Sequence, residues 1–118
     1  MGVIKTYREL LIWQKAMELV TEVYFVTNTF PDSERFGLTS QLRRSSVSVP
    51  ANIAEGFGRN SSGDFKRFLN IAMGSLFELQ TEFEIAKNLG FISEELFSTF
   101  YESSREVERM MSSFIPKL

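Results

Sequence analysis

Residues 65–86 read FKRFLNIAMGSLFELQTEFEIA, and this stretch decides the fold. Its apolar side chains alternate at spacings of four and three residues: Phe65, Leu69, Ala72, Leu76, Leu79, Phe83 and Ala86. Because this heptad spacing keeps one helix face turned toward its neighbours, the stretch predicts a long helix packed at a small crossing angle. Ser61 and Asp64 form a capping signal that starts this helix near Ser62, Gly90 ends it, and Ser93 can cap the next helix.

Three further segments have apolar residues at helical spacing. The first has two adjacent stripes, one formed by Leu10, Trp13, Met17, Val20 and Tyr24, the other by Ile12, Ala16, Leu19, Val23 and Val26. The next segment along the chain has one stripe, formed by Leu38, Leu42, Val49, Ile53 and Phe57. The last has Leu96, Phe100, Val107, Met110 or Met111, and Phe114.

Four helices joined by short connections must each turn back beside the preceding one. The sequence therefore predicts an all-α, up-down-up-down antiparallel four-helix bundle, with one domain over residues 1–118. The side chains expected to be largely inside are Trp13, Met17, Val20, Leu42, Val49, Ile53, Leu69, Leu76, Leu79, Phe83 and Phe100.

Turn residues separate the first three helices. Pro31 ends the first helix, and Asp32 or Ser33 is predicted to cap the second by accepting hydrogen bonds from its first backbone amides. Gly56 and Gly58 are predicted to form its C-terminal cap, because glycine adopts positive φ without strain.

The predicted second helix contains Pro50, although proline inside a helix costs about 3 kcal/mol. In one interpretation the Ser45 or Ser46 hydroxyl satisfies the carbonyl that proline leaves free, and nearby small residues ease packing within the chain. In the other, Pro50 bends the helix, and its small side chains contact a neighbouring subunit. That predicted interface comprises Ser46, Pro50, Ala51, Asn52 and Ala54.

The net charge of −2 conceals an uneven distribution of charge. Residues 35–67 carry six basic residues against two acidic ones, so the remainder of the chain is acidic. The basic residues predicted to meet an anionic partner are Arg43, Arg44, Arg59, Lys66 and Arg67. The last three flank one helix connection and should lie close together, whereas Arg43 and Arg44 lie roughly 20 Å back along the helix. For Arg44 an ion pair with an acidic residue is an equally open interpretation.

The composition argues against catalysis. The chain has no histidine and no cysteine, so thiolate chemistry, a histidine base and the histidine ligands of di-iron bundles are excluded. Glu78 and Glu82 are one helical turn apart and are expected on a solvated face. No phosphate-binding glycine motif follows a strand. We expect no cofactor or metal, no membrane association and a cytoplasmic location, since no apolar run approaches the length of a membrane span.

Three stretches carry a family resemblance: RELLIWQKAMELV (8–20), FPDSERFGLTSQLRRSSVSVPANIAEGFGRNS (30–61) and DFKRFLNIAMGSLFELQTEFEIAKNLGFI (64–92). Together they resemble the 23S rRNA intervening-sequence protein family. The resemblance implies a bacterial four-helix bundle that assembles into a ring-like homopentamer. A similar bundle is the accessory variability protein of diversity-generating retroelements, which binds nucleic acid and a reverse transcriptase.

Two functions remain open at this point. The first is a non-enzymatic oligomeric module that associates with RNA or DNA through the basic residues, and its affinity should fall as salt rises. The second is a ring-shaped scaffold that docks a partner protein and has no affinity for nucleic acid.

Overall fold

The structure is a computed structural model that describes residues 3–118. It contains four α-helices: α1 (Leu11–Thr27), α2 (Leu38–Phe57), α3 (Ser62–Asn88) and α4 (Glu94–Phe114). Short 3₁₀ turns occupy Tyr7–Glu9, Asp32–Glu34 and Ile115–Lys117. No strand occurs within the described part of the chain, which confirms the predicted all-α class and four helices.

The four helices enclose one core. Each helix packs against the next along the chain, and α1 also packs against α4. Phe83 stacks on Phe100 with ring centroids 3.9 Å apart, while Phe65 meets Phe114 nearer the other end of both helices. The contacts therefore run in opposite directions along α3 and α4, as in antiparallel helices.

The heptad face of α3 fills the core as predicted. Its fully buried side chains are Leu69, Ala72, Leu76, Leu79, Phe83 and Ala86. On α4 Met111 is buried and Met110 only partly so, while Leu96, expected in the core, is exposed in the first turn.

The two apolar stripes of α1 differ in burial, and the prediction of which α1 side chains lie in the core was wrong. Ile12, Ala16, Leu19 and Val23 are buried. Met17 is 40% exposed, and Trp13 and Val20 are only partly buried. A helix that packs on two neighbours buries one stripe of its surface. Met17, Val20 and Tyr24 of the first stripe are therefore left partly or fully at the surface.

Pro50 is buried inside an uninterrupted α2. The Ser45 hydroxyl lies 3.2 Å from the carbonyl oxygen of Leu42 and 2.7 Å from Oε1 of Glu82, so its one proton is directed mainly to the carboxylate; the Ser46 hydroxyl donates to the carbonyl of Arg43 at 2.9 Å. Neither hydroxyl bonds to the carbonyl four residues before the proline, so the expected compensation by these hydroxyls is not found. The bend at Pro50 stays a prediction.

The predicted glycine cap of α2 is confirmed at Gly58, but its expected conformation is not. Gly58 is the C-cap residue with φ −76°, so it does not adopt positive φ, and Gly56 lies inside the last turn of the helix and is buried. A Cβ at Gly56 would lie 2.7 Å from Cβ of Phe68 and 3.0 Å from Cδ1 of Phe65. Gly56 therefore permits a close approach between the end of α2 and the start of α3.

The remaining caps largely follow the sequence. Ser61 accepts from the Asp64 N–H at 3.1 Å and Ser93 from the Leu96 N–H at 3.1 Å, and Gly90 ends α3 with φ 79°. The start of α2 differs from the prediction. There the Glu34 carboxylate, and not Asp32 or Ser33, accepts a hydrogen bond from the Leu38 N–H, at 3.0 Å. Asp32 and Ser33 lie too early in the chain, since α2 begins only at Leu38.

Candidate functional site

Two of the predicted basic residues meet at the connection between α2 and α3. The guanidinium of Arg59 lies 4.8 Å from the centroid of the Phe68 ring, and that of Arg67 lies 4.5 Å from it. The close approach at Gly56 brings Phe68 beside the end of α2. The structure thus places both cations on one aromatic ring, and we call Arg59, Lys66, Arg67 and Phe68 the arginine–phenylalanine cluster.

Local carboxylates partly balance the charge of the arginine–phenylalanine cluster. Arg59 pairs with Glu55 at 2.8 Å, and Arg67 pairs with Asp64 at 3.7 Å. Both pairs are solvent-exposed, and such pairs contribute about 0–1 kcal/mol. The guanidinium groups therefore remain accessible to a competing anion. Lys66 lies in the same turn of α3, so the immediate surface keeps a net positive charge.

Arg43 lies apart from this cluster. Its Nε donates to Oγ1 of Thr27 at 2.9 Å and its Nη2 to Oδ1 of Asn28 at 3.2 Å. The guanidinium also lies 4.6 Å from the centroid of the Tyr24 ring. A cation at a helix C-terminus is favoured by the helix dipole. Arg43 consequently tethers the end of α1 to α2.

Arg44 is exposed on a different face, and its Nη2 donates to Oγ of Ser40 at 3.3 Å. It borders a polar groove of about 270 Å³ between α2 and α3. The other residues that line this groove are Gln41, Ser45, Ser48, Ser75, Glu78 and Glu82. The structure therefore separates Arg44 from both Arg43 and the arginine–phenylalanine cluster, and its contact with an anionic partner stays a prediction.

Glu82 lies in this groove and is less solvated than the sequence predicts. It is partly buried, and its Oε1 accepts from the Ser45 hydroxyl at 2.7 Å. Desolvation raises the pKa of Glu82 above its ordinary value and Glu78 adds to that shift, while the Ser45 hydrogen bond and Arg44 oppose it. Glu82 follows the buried Ser75 by one heptad, and this spacing beside the α3 core face is the signal that could have revealed it.

The predicted subunit interface on α2 is divided by burial. Ser46 is 1% exposed and Pro50 is also buried, so both belong to the interior of this bundle and cannot lie on a free outer face. Ala51 is exposed, while Asn52 and Ala54 are partly buried. Helical geometry explains the division, because residues four apart share one face and the face of Ser46 and Pro50 points inward.

A patch of exposed apolar side chains lies on α1 and α2, where the first α1 stripe meets Val47. Its members are Met17, Tyr24, Phe25 and Val47, with Phe25 being 72% exposed. Val20, Tyr24, Phe25 and Val47 line one shallow depression. We call this surface the α1 patch.

Residues 3–118 contain neither a metal-binding cluster of carboxylates nor a helix able to span a membrane. Within that range no group of three or more Asp or Glu side chains is arranged to hold a metal ion. None of the helices described there combines the length and apolar character needed to cross a membrane.

Comparison with known proteins supports the family suggested by the sequence. The family model described as "23S rRNA-intervening sequence protein" matches residues 8–113. The chain belongs to this family. The match includes all four helices except the final residue of α4.

A solved structure with the same architecture supports the assignment to the 23S rRNA-intervening sequence protein family. It is described as a protein with unknown function from the S23 ribosomal protein family of Bacteroides thetaiotaomicron VPI-5482. The two structures superpose with a TM-score of 0.79 at 26% identity, over 89% of this chain and 98% of the other. No curated protein matches the chain.

Proposed function

We propose that this member of the 23S rRNA-intervening sequence protein family is a non-enzymatic, self-assembling bundle that binds nucleic acid, with rRNA as the first candidate. The observation that carries the proposal is the pair of guanidinium groups on the Phe68 ring. A guanidinium offers a planar fork of N–H donors that fits a phosphate. Contact with the Phe68 ring restricts both guanidinium groups, so less side-chain conformational entropy is lost when they bind a phosphate.

The acidic character of the whole chain sets a limit on this binding. The net charge of −2 gives no general attraction for a polyanion, so the contact must be local. If the three cations of the arginine–phenylalanine cluster each contact one phosphate, the logarithm of the binding constant should fall with the logarithm of the salt concentration. The slope should have a magnitude of about 2 to 3.

The proposed binding is tested by a gel shift with structured RNA at two salt concentrations. The double variant Arg59→Ala with Arg67→Ala should bind more weakly and with a smaller salt slope. The matched control, Arg35→Ala with Lys87→Ala, removes the same charge at the opposite end of the bundle and should bind as wild type does. Absence of binding by the wild type, or equal weakening by both pairs, would contradict the proposal.

Self-assembly forms the second part of the proposal, and the resemblance to the family makes a homopentamer the expected ring. A closed ring needs two different contact faces on each subunit. The α1 patch offers one apolar face, and α3 offers a second through the exposed side chains of Ile71, Phe77, Ile85 and Leu89. Sedimentation should report a multiple of the 13.6 kDa chain mass, and Phe25→Glu should reduce it. A wild-type monomer at micromolar concentration would refute this part.

A protein-docking scaffold is the second candidate function. The α1 patch favours it, because exposed apolar clusters of this kind mark surfaces that bind other proteins. The gel shift separates the two functions, since a scaffold would show no affinity for RNA at either salt concentration.

A further inference from the structure

A groove runs between the residues that precede α1 and the C-terminal end of α4. Its volume is about 580 Å³, which falls in the range of small-molecule sites, about 300–1,000 Å³. Its apolar lining comes from Ile4, Leu10, Leu11, Ile12, Met110 and Phe114. Leu10 and Ile12 belong to the buried core and fix the floor, whereas Leu11 is 55% exposed on the wall.

Two cations, Arg109 and Lys117, stand at the edge of this groove. Within residues 3–118 neither has a carboxylate oxygen within 4.0 Å. The groove contains one carboxylate, that of Glu9, whose Oε2 accepts from the backbone N–H groups of Lys5 and Thr6 at 3.2 Å each. That carboxylate holds the N-terminal turn, so the edge keeps positive charge available for an anion.

We propose that this groove binds a free fatty acid, with the aliphatic chain on the apolar floor and the carboxylate between Arg109 and Lys117. The lining favours a flexible chain over a planar ring system. Its single aromatic side chain, Phe114, already makes an edge contact with Phe65 at 5.7 Å between centroids. Charge-assisted hydrogen bonds from the two cations would select the acid over an uncharged alcohol of the same length.

The test is calorimetric titration of the full chain with decanoate and with decanol. Wild type should bind decanoate at one saturable site. The double variant Arg109→Gln with Lys117→Gln should bind decanoate at least about tenfold more weakly, because the carboxylate loses its charged partners. Its affinity for decanol should not change. The control pair Arg35→Gln with Lys87→Gln, at the opposite end of the bundle, should leave both ligands unaffected.

Apolar variants test the floor and wall. Leu11→Asp should weaken the binding of both decanoate and decanol. The fold should be kept, because Leu11 is the first residue of α1 and an aspartate there interacts favourably with the helix dipole. Circular dichroism checks this, and Met110→Ser provides a second variant. The proposal is overturned if wild type shows no saturable decanoate binding, or if the control pair weakens it as much as the Arg109 and Lys117 pair. It is equally overturned if Leu11→Asp lowers the sedimentation mass without changing decanoate binding, which would assign the groove to a second copy.

Discussion

The close approach of α2 and α3 at Gly56 makes a quantitative prediction for Gly56→Ala. The added Cβ would lie 2.7 Å from Cβ of Phe68, an atom attached directly to the α3 backbone, and 3.0 Å from Cδ1 of Phe65. The phenylalanine ring can rotate, but the Cβ cannot move without the helix. The substitution must therefore push the two helices apart or distort the last turn of α2.

Two effects of opposite sign decide the magnitude. Alanine is favoured over glycine in a helix by at most about 1 kcal/mol. Overpacking of a close contact costs about 1–3 kcal/mol, and a rigid neighbour places this site in the upper part of that range. The free energy of unfolding should therefore fall by about 1–2 kcal/mol.

Urea denaturation followed by circular dichroism measures this change, and Gly74→Ala is the matched control. Gly74 lies in the middle of α3 with nothing within 4 Å of its added Cβ, so this variant should gain about 0.5–1 kcal/mol. If Gly56→Ala is as stable as wild type while Gly74→Ala is stabilised, α2 and α3 can move apart without loss of stability. The close-approach argument is then refuted.

Three further variants test other parts of the fold. Phe83→Ala should lose roughly 3–5 kcal/mol in urea denaturation, because Phe83 is fully buried; wild-type stability would mean that the α3 core is misplaced. Arg43→Ala should lose about 1–3 kcal/mol, because it removes the charge-assisted hydrogen bonds that its guanidinium donates to Thr27 and Asn28, and Arg44→Ala should lose almost nothing; equal melting temperatures for the two variants would contradict the tether. Glu82→Gln should flatten the pH dependence of stability: the raised pKa means that protonation of Glu82 stabilises the fold, and this contribution is lost as pH rises through the raised pKa. Thermal melts from about pH 4 to about pH 7 measure it, and identical profiles for variant and wild type would refute it.

The sequence predicts the buried face of α3 correctly because a strict heptad leaves one choice of face. On α1 it leaves two choices, since the Met17 and Ala16 stripes both have helical spacing. Which stripe is buried depends on where α2 and α4 pack, and no local pattern encodes that position.

The candidate site, like the core, was only partly predictable from the sequence. Arg59 and Arg67 flank a short connection, which forces them together. Arg43 and Arg44 are neighbours in sequence but about 100° apart around the helix, so one reaches α1 and the other borders the groove. Glu82 was missed because its partner Ser45 lies on another helix.

The N-terminal turn determines what a fluorescence experiment on this protein would report. Trp13 is the chain's single tryptophan, and its ring meets Tyr7 of the first 3₁₀ turn edge-on, with centroids 5.1 Å apart. Because Trp13 is only partly buried, its emission follows the docking of that turn more closely than the melting of the core. Fraying of the turn would shift the emission before ellipticity is lost, so the two optical transitions should separate and a two-state fit to fluorescence alone would understate the stability of the bundle.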